Sequence, residues 1–458
     1  MLDDTIAAIS TPLGEGGIGI VRLSGPGSLA IARALFRRRA GGEPPAVLQS
    51  HRLYHGFLCD PESGEVVDEV LLAYMRAPGT YTREDVVEIN CHGGPLPLQR
   101  VLELALRRGA RLAEPGELTL RAFLNGRLDL AQAESVIDVV RARTPTGLRL
   151  AVSQLGGRLS AEIRELRGQI LDVLAYLTAT IDFAEDEIPP QDVDGPLAAA
   201  LARVDDLLAT ADAGIVYRQG LQVAIVGRPN VGKSSLLNAL LRDNRAIVTP
   251  VPGTTRDTLS ETLNLRGIPV VLVDTAGIRQ TDELVERLGV ERSRQAIARA
   301  DLALFVLDAS ELIQDIDRDI AALLTDKPAV LVLNKVDLPP AVEAAAAAAL
   351  LPGRPLVSVA AALGRGIAQV EDAIVAAVFT GLASASAEPL VSNPRHKQAL
   401  WQAREHLAAA RQTCTDGLPA DFVTIDLTAA VNALGEITGE TATEDLLETI
   451  FSQFCIGK

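Results

Sequence analysis

Residues Gly227 to Ser235 read G-R-P-N-V-G-K-S-S, a G-x-x-x-x-G-K-[ST] loop. An apolar run, Leu221-Gln222-Val223-Ala224-Ile225-Val226, precedes it, and Leu236-Leu237-Asn238-Ala239-Leu240-Leu241 follows. A strand, a Gly-rich loop and a helix in that order form a phosphate cradle. Its glycines let backbone N–H groups turn inward on a phosphate chain, and the helix N-terminus adds its positive dipole end. The cradle comprises Asn230, Val231, Gly232, Lys233, Ser234 and Ser235. Lys233 can reach β- and γ-phosphates, and the Ser234 hydroxyl can ligate Mg²⁺. Taken alone, the same spacing also fits a plain Gly-rich turn.

Three further segments recur in the order such a site needs. Asp274-Thr275-Ala276-Gly277 follows the apolar run Val270–Val273; Asp274 can hold the Mg²⁺ shell and the Gly277 amide can meet a γ-phosphate. Gly253-Thr254-Thr255-Arg256-Asp257 lies between the loop and the next strand, where Thr255 supplies a second Mg²⁺ ligand when that segment closes. Asn334-Lys335-Val336-Asp337 ends a strand over Ala329–Leu333. The Asp337 carboxylate can accept from guanine N1–H and N2–H₂ together, a donor pair that adenine lacks. The four segments together predict a GTP site. The second guanine loop falls near Ser358–Gly364 and reads as Ala360-Ala361, or is displaced to Ser358-Val359-Ala360. At the position after D-T-A-G stands Ile278, which cannot orient water as a Gln does. Hydrolysis must recruit another polar group, such as Glu283 or Glu286, and a positive charge from an arginine or a bound cation.

The 458 residues suggest roughly two to four domains. A composition 48% hydrophobic and 22% charged is that of a globular protein. The net charge of −16 weighs against a broad basic face for nucleic acid. No run of apolar residues is long enough to span a membrane. The acidic start, Met1-Leu2-Asp3-Asp4, lacks the basic opening of a signal peptide. Cys59, Cys91, Cys414 and Cys455 lie far apart, which suits a reducing cytoplasm and argues against a zinc site.

The predicted architecture is multidomain. Residues 1–118 read as an α+β unit, with strands at Ile18–Leu23, Val66–Met75 and Asp85–Asn90 and helices at Ser28–Arg38 and Leu96–Arg108. In it Arg22, Glu88 and His92 sit beside glycines, as a salt-bridged or turn-stabilising set would. Residues 119–216 predict long helices over Thr119–Leu124, Leu130–Arg143, Leu148–Gly156, Leu159–Phe183 and Pro196–Ala211. Residues 381–458 predict three more, at Pro394–Gln412, Ala420–Thr438 and Thr443–Phe454. Between these halves of one all-α domain lies an inserted α/β P-loop domain, 217–380. Its continuous Val/Leu/Ile strands (Leu221–Val226, Leu259–Leu265, Val270–Val273, Leu302–Leu307, Ala329–Leu333 and Leu356–Val359) predict a mostly parallel, doubly wound sheet with its ligand at the strands' carboxyl ends.

Three features converge on one family. They are the segment G-G-I-x-I-x-R-x-S-G over Gly16–Gly25, the run R-A-F-L-N-G-R-L-D-L-A-Q-A-E over Arg121–Glu134, and the final F-C-I-G-K, Phe454–Lys458. With a GTPase inserted among helices, the chain resembles, over essentially its whole length, the MnmE (TrmE) family of tRNA modification GTPases. The resemblance implies a cytoplasmic homodimer that works with the FAD-containing partner MnmG on tRNA. The pair would add an aminomethyl or carboxymethylaminomethyl group to C5 of the wobble uridine. A reduced folate, formyl- or methylene-tetrahydrofolate, would bind the N-terminal domain through Arg22, Glu88, Arg127 and Lys458. Arg127 stands where the family often has Lys, which keeps the charge and changes the donor geometry.

The resemblance also implies a K⁺ ion serving as an arginine finger when two G domains meet. Its ligands would be Asn230, Thr249, Val251 through its carbonyl, and Thr254, which places Thr249 and Thr254 in the nucleotide pocket. Glu286 would position the attacking water, and Lys233 and Thr255 would complete the catalytic set. Cys455 could be a nucleophile near Lys458 or a residue that seats the end of the chain. The same GTPase segments would also suit a ribosome-assembly GTPase, though no basic RNA-binding domain is visible, or a purely structural dimerising GTPase.

Overall fold

The computed structural model describes residues 3–39, 42–43, 46–183, 188–244, 261–273, 294–379 and 390–458. The chain divides into two compact units. Of the described residues, the first takes those within 1–137 and 435–458, and the second those within 138–249 and 255–434. In chain order the first unit contains β1 (Ile6–Ile9), β2 (Gly16–Ser24), α1 (Ser28–Leu35), β3 (Phe36–Arg37), β4 (Arg52–Cys59), β5 (Val66–Met75), β6 (Val86–Gly93), α2 (Pro95–Arg107), β7 (Arg111–Leu112), α3 (Glu117–Leu124) and most of α4 (Leu130–Arg141). The second contains α5 (Pro145–Leu155), α6 (Arg158–Asp182), α7 (Asp194–Gln219), β8 (Leu221–Val226), α8 (Lys233–Asn244), β9 (Glu261–Leu265), β10 (Ile268–Val273) and β11 (Leu302–Asp308). It continues through α9 (Asp315–Leu323), β12 (Ala329–Asn334), α10 (Ala344–Ala348), β13 (Leu356–Ser358), α11 (Ile367–Phe379), α12 (Pro394–Thr415) and most of α13 (Ala420–Thr438). The chain ends with α14 (Glu444–Phe451), back in the first unit.

The first unit is built on a sheet ordered β3-β4-β5-β6-β2-β1-β7, antiparallel except where β7 joins β1. Alternation along the strands sends Val21, Leu23, Val87, Ile89, Val70 and Leu72 to one face. There they pack on Ile31 and Leu35 of α1 and Leu98, Val101 and Leu104 of α2. Arg22 and Glu88, one residue out of that phase, fall on the opposite face, directly across from each other in the β2–β6 register. Helix α1 stops at Leu35, not Arg38: Phe36 turns to extended backbone (φ −91°, ψ 140°) and pairs with Leu58 of β4.

In the second unit the sheet runs β13-β12-β11-β8-β10-β9, parallel except for the β9–β10 hairpin. Every residue of β11 and β12 is buried. Such strands need apolar cover on both sides. One layer comes from Leu236, Leu240, Val370 and Ile374, the other from Ile297, Ile320, Ala321 and Leu324. Strand β8 falls where the sequence predicts it; the other boundaries move by a residue or two, and Leu259 and Ser260 lie outside the described residues. The largest change is α7, which runs past Ala211 to Gln219. Within the added length Gly214 admits a close approach: a Cβ there would overlap the Val391 carbonyl. Among the described residues no helix is long and apolar enough to cross a membrane.

Candidate functional site

At the end of β8 the loop takes a shape that its residue types permit. Gly227 (φ 147°) and Gly232 (φ 96°) sit where a side chain is strained, and a Cβ on either would overlap the Val306 carbonyl or the Asn334 side-chain amide. Asn230 adopts the left-handed region at φ 64°, which Asn tolerates better than most residues. Lys233 opens α8 and folds its ammonium over the loop, donating to the carbonyls of Gly227 (2.8 Å) and Arg228 (2.7 Å). Burial, and then the nearby Arg228 charge, push Lys233 down to about 8. Among the described residues no carboxylate pairs with this ammonium, and an incoming phosphate would provide a counter-charge. Ser234 and Ser235 follow in the first turn of α8, both partly buried.

Asn334 closes β12 and is buried. Its amide donates to the Val231 carbonyl (2.8 Å), and its Oδ1 accepts from the Ala361 amide (3.0 Å). One side chain therefore ties the phosphate loop to the Ala361–Leu363 turn. Lys335, at φ 62°, pairs through Nζ with Asp308 Oδ2 at 2.6 Å. Burial alone would raise the Asp308 carboxyl, but Lys335 and Ser310 hold it below its ordinary value. Asp337 is exposed beyond this pair. The expected residues Thr249, Val251, Thr254, Thr255, Asp274, Thr275, Ala276, Gly277 and Glu286 lie outside the described residues, as do Ile278 and Glu283.

The first unit holds a separate cavity of about 290 Å³, lined by Arg22, Met75, Tyr81, Val86, Glu88, Val136 and Lys458. Arg22 Nη2 lies 2.7 Å from Glu88 Oε1, and Arg22 Nε donates to the same oxygen at 2.9 Å. This doubly bonded pair is partly open to solvent. The cavity combines two cations, a carboxylate and apolar walls, a donor set suited to a flat, polar-edged ring that carries an acid group. Arg127 is exposed and does not line it, although its charge acts on Tyr81. Burial raises the Tyr81 hydroxyl above its ordinary value, while Thr119, Arg22 and Arg127 draw it back.

The R-A-F-L-N stretch builds the cavity's frame. Arg121 is fully buried, with Nη2 2.6 Å from Asp4 Oδ1 and 2.9 Å from Glu117 Oε1, and Nη1 3.2 Å from Glu84 Oε1. Asn125 donates to the Thr82 carbonyl at 2.7 Å. Together they clamp the Tyr81–Asp85 segment that brings Tyr81 to the cavity. The final residues are seated by Phe451 and Phe454, both buried with ring centroids 5.5 Å apart, and by Gly457. Gly457 sits at φ 92°, where a Cβ would overlap the Ile9 carbonyl. The Cys455 carbonyl accepts from Gly116 (3.4 Å) and Lys458 (3.3 Å), while its thiol is exposed. The backbone at Cys455, not the sulfur, makes the seating contacts.

Sequence reading left out Tyr81, Met75 and Val136 as cavity residues, Asp308 as the partner of Lys335, and the Ala361 amide as the partner of Asn334. Each becomes visible only when separate strands meet. The Y-T-R-E-D stretch over Tyr81–Asp85, just before β6, with a phenol beside a buried Thr, is the linear signal that could have pointed to Tyr81.

A family model described as the MnmE helical domain matches residues 130–455, and one described as the GTP-binding protein TrmE N-terminus matches residues 5–127. A tRNA modification GTPase MnmE of Chloroflexus aurantiacus is 55% identical over 461 residues, covering 100% of both chains. Its namesake in Roseiflexus sp. is 52% identical over 467 residues, and that in Desulforamulus reducens 47% over 462, each with 100% coverage of both chains. With a P-loop sheet, a guanine-type strand end and full-length relatives of this kind, the chain is a GTPase that belongs to the MnmE family of tRNA modification GTPases.

Proposed function

We propose that this GTPase drives modification at C5 of the wobble uridine of certain tRNAs, adding an aminomethyl or carboxymethylaminomethyl group. It acts in the cytoplasm as a homodimer with the FAD-containing partner MnmG and takes its carbon from a formyl- or methylene-tetrahydrofolate. Residues 1–118 form the folate and dimerisation domain. Residues 119–216 and 381–458 form the helical domain, and 217–380 the inserted G domain. In the G domain Lys233 meets the β- and γ-phosphates, Ser234 and Thr255 hold Mg²⁺, and Asp337 selects guanine. Asn230, Thr249, Thr254 and the Val251 carbonyl hold K⁺, and Glu286 orients the attacking water. The metal ions, when bound, neutralise charge that builds on the phosphates. The left-handed turn at Asn230 supports its share in this, since it gives the loop an amide side chain without closing it.

The observation that carries the folate assignment is the Arg22–Glu88 pair lining one cavity with Lys458. A carboxylate beside a ring site accepts from pterin N–H groups, while the cations meet carboxylates of the ligand. Arg127, exposed and near enough for its charge to act on Tyr81, adds positive charge outside the cavity lining. The test is isothermal titration of the full chain with 5-formyltetrahydrofolate. Saturable binding that weakens about tenfold in Glu88→Ala, the worth of one charge-assisted bond, is the expected result. No heat at saturating concentration, or equal binding by Glu88→Ala and Arg22→Ala, would remove folate from the cavity.

A further inference from the structure

The phosphate loop carries an arginine that the chemistry above does not use. Arg228 follows Gly227 and is buried. Its guanidinium meets acidic residues at the start of α9. Nη1 lies 2.7 Å from Glu311 Oε2, and Nε lies 3.5 Å from Asp317 Oδ2. Asp317 is itself buried and uses Oδ2 to accept from the Gln314 amide at 3.0 Å, capping α9. Two atoms of this arrangement, Arg228 Nε and Asp317 Oδ1, are buried without a hydrogen bond among the described residues. Nε faces the carboxylate through Oδ2, at 3.5 Å, the oxygen that the Gln314 amide already holds, and Oδ1 is left over. Leaving such groups half-satisfied is costly unless their placement serves something else.

The backbone of the same residue supplies that purpose. The Arg228 carbonyl is one of the two oxygens that hold the Lys233 ammonium, and Asn230 lies two residues on. From these contacts we infer that Arg228 is a positioning residue for nucleotide capture. Its ion pairs with Glu311 and Asp317 anchor the Gly227–Asn230 turn to the head of α9. The anchor fixes where Lys233 and Asn230 stand when a phosphate arrives. The Glu311 arm is solvent-facing, so the buried Asp317 arm carries most of the effect.

The test is fluorescence titration of the full chain with N-methylanthraniloyl-GDP in Mg²⁺ and K⁺. Arg228→Ala raises the dissociation constant about tenfold, as expected for loss of a buried charged partner. Asp317→Asn raises it severalfold, and the double variant is no weaker than Arg228→Ala, because both changes break one contact. Millimolar guanidinium restores part of the affinity to Arg228→Ala and none to Asp317→Asn. Arg228→Lys, which keeps the charge and loses the second arm, stays impaired and carries the test if the alanine variant melts below the assay temperature. A dissociation constant within twofold of the parent for Arg228→Lys and Asp317→Asn, or additive effects in the double variant, would overturn the inference.

Discussion

Asn334 joins two loops with one amide, and removing it should separate their fates. In Asn334→Ala the Val231 carbonyl and the Ala361 amide each lose a bond, of 2.8 Å and 3.0 Å. Each group left unsatisfied in a buried setting costs about 1–3 kcal/mol. Two such groups together would cost about 2–6 kcal/mol; Gly232 beside them is partly open, so water can reach the gap, and the combined loss falls at the low end, about 2–3 kcal/mol. The share at Ala361, about 1.4 kcal/mol, corresponds to a tenfold faster opening. Hydrogen exchange read by mass spectrometry reports it directly. Peptides over residues 356–366 should exchange about tenfold faster, while peptides from β2 in the first unit stay unchanged. Asn334→Asp is the sharper variant. It keeps the Oδ1 acceptor for Ala361 but sets a carboxylate oxygen against the Val231 carbonyl. Peptides over 356–366 should then remain protected while GDP affinity falls. Unaltered exchange in the alanine variant, or equal deprotection in both variants, would refute the bridging role.

Three further outcomes are expected. Asp337→Asn should lower discrimination for GTP over xanthosine triphosphate, since the amide can donate to the xanthine 2-oxo group; unchanged selectivity in competition binding removes Asp337 from the guanine site. Replacing K⁺ by Na⁺ should slow steady-state GTP turnover at least about tenfold, the scale on which charge stabilisation acts, and equal rates would remove the cation assignment. The Arg121 cluster should make the first unit acid-labile. Burial alone would raise the Asp4 and Glu117 carboxyls, but Arg111 and Arg121 hold both below their ordinary values of 3.8 and 4.5. Depressed carboxyls stabilise the fold above pH 4.5 and lose that contribution as pH falls below it. Arg121→Met should cost about 3–5 kcal/mol at pH 7 by stranding its buried partners. It should also flatten the fall in melting temperature between pH 5 and 3, and an unchanged slope there would contradict the pairing.

Much of the second unit was legible because its strands are buried on both faces. Continuous runs such as Leu302–Asp308 have no other reading once turns bound them. The first unit was harder to read. Strand β4, R-L-Y-H-G-F-L-C, leaves Leu53 exposed and needs Gly56, where a Cβ would strike the Phe36 ring and the Arg37 carbonyl. Its pattern therefore reflects a neighbour far along the chain, not a local period. The cavity shows the same limit. Arg22 and Glu88 stand 66 positions apart; residue type offered them only as part of a salt-bridged or turn-stabilising set, and the β2–β6 register sets them face to face. Tyr81 arrives through a clamp made by Arg121 and Asn125, residues that read as a family signature without a visible task. Arg228 has no role assigned from the sequence; its partners, Glu311 and Asp317, follow β11 in the chain and are brought near only by the fold.

The central claim is that the charged cavity and the GTPase serve one modification of tRNA. Mass spectrometry of wobble nucleosides tests it most directly, on tRNA from cells lacking this protein and from the same cells given the parent chain or Glu88→Ala. The account predicts that the C5-modified uridines vanish in the deletion, return with the parent chain, and return only to a clearly lower level with Glu88→Ala although that variant still hydrolyses GTP. Unmodified levels unchanged by the deletion, or full restoration by Glu88→Ala, would contradict it.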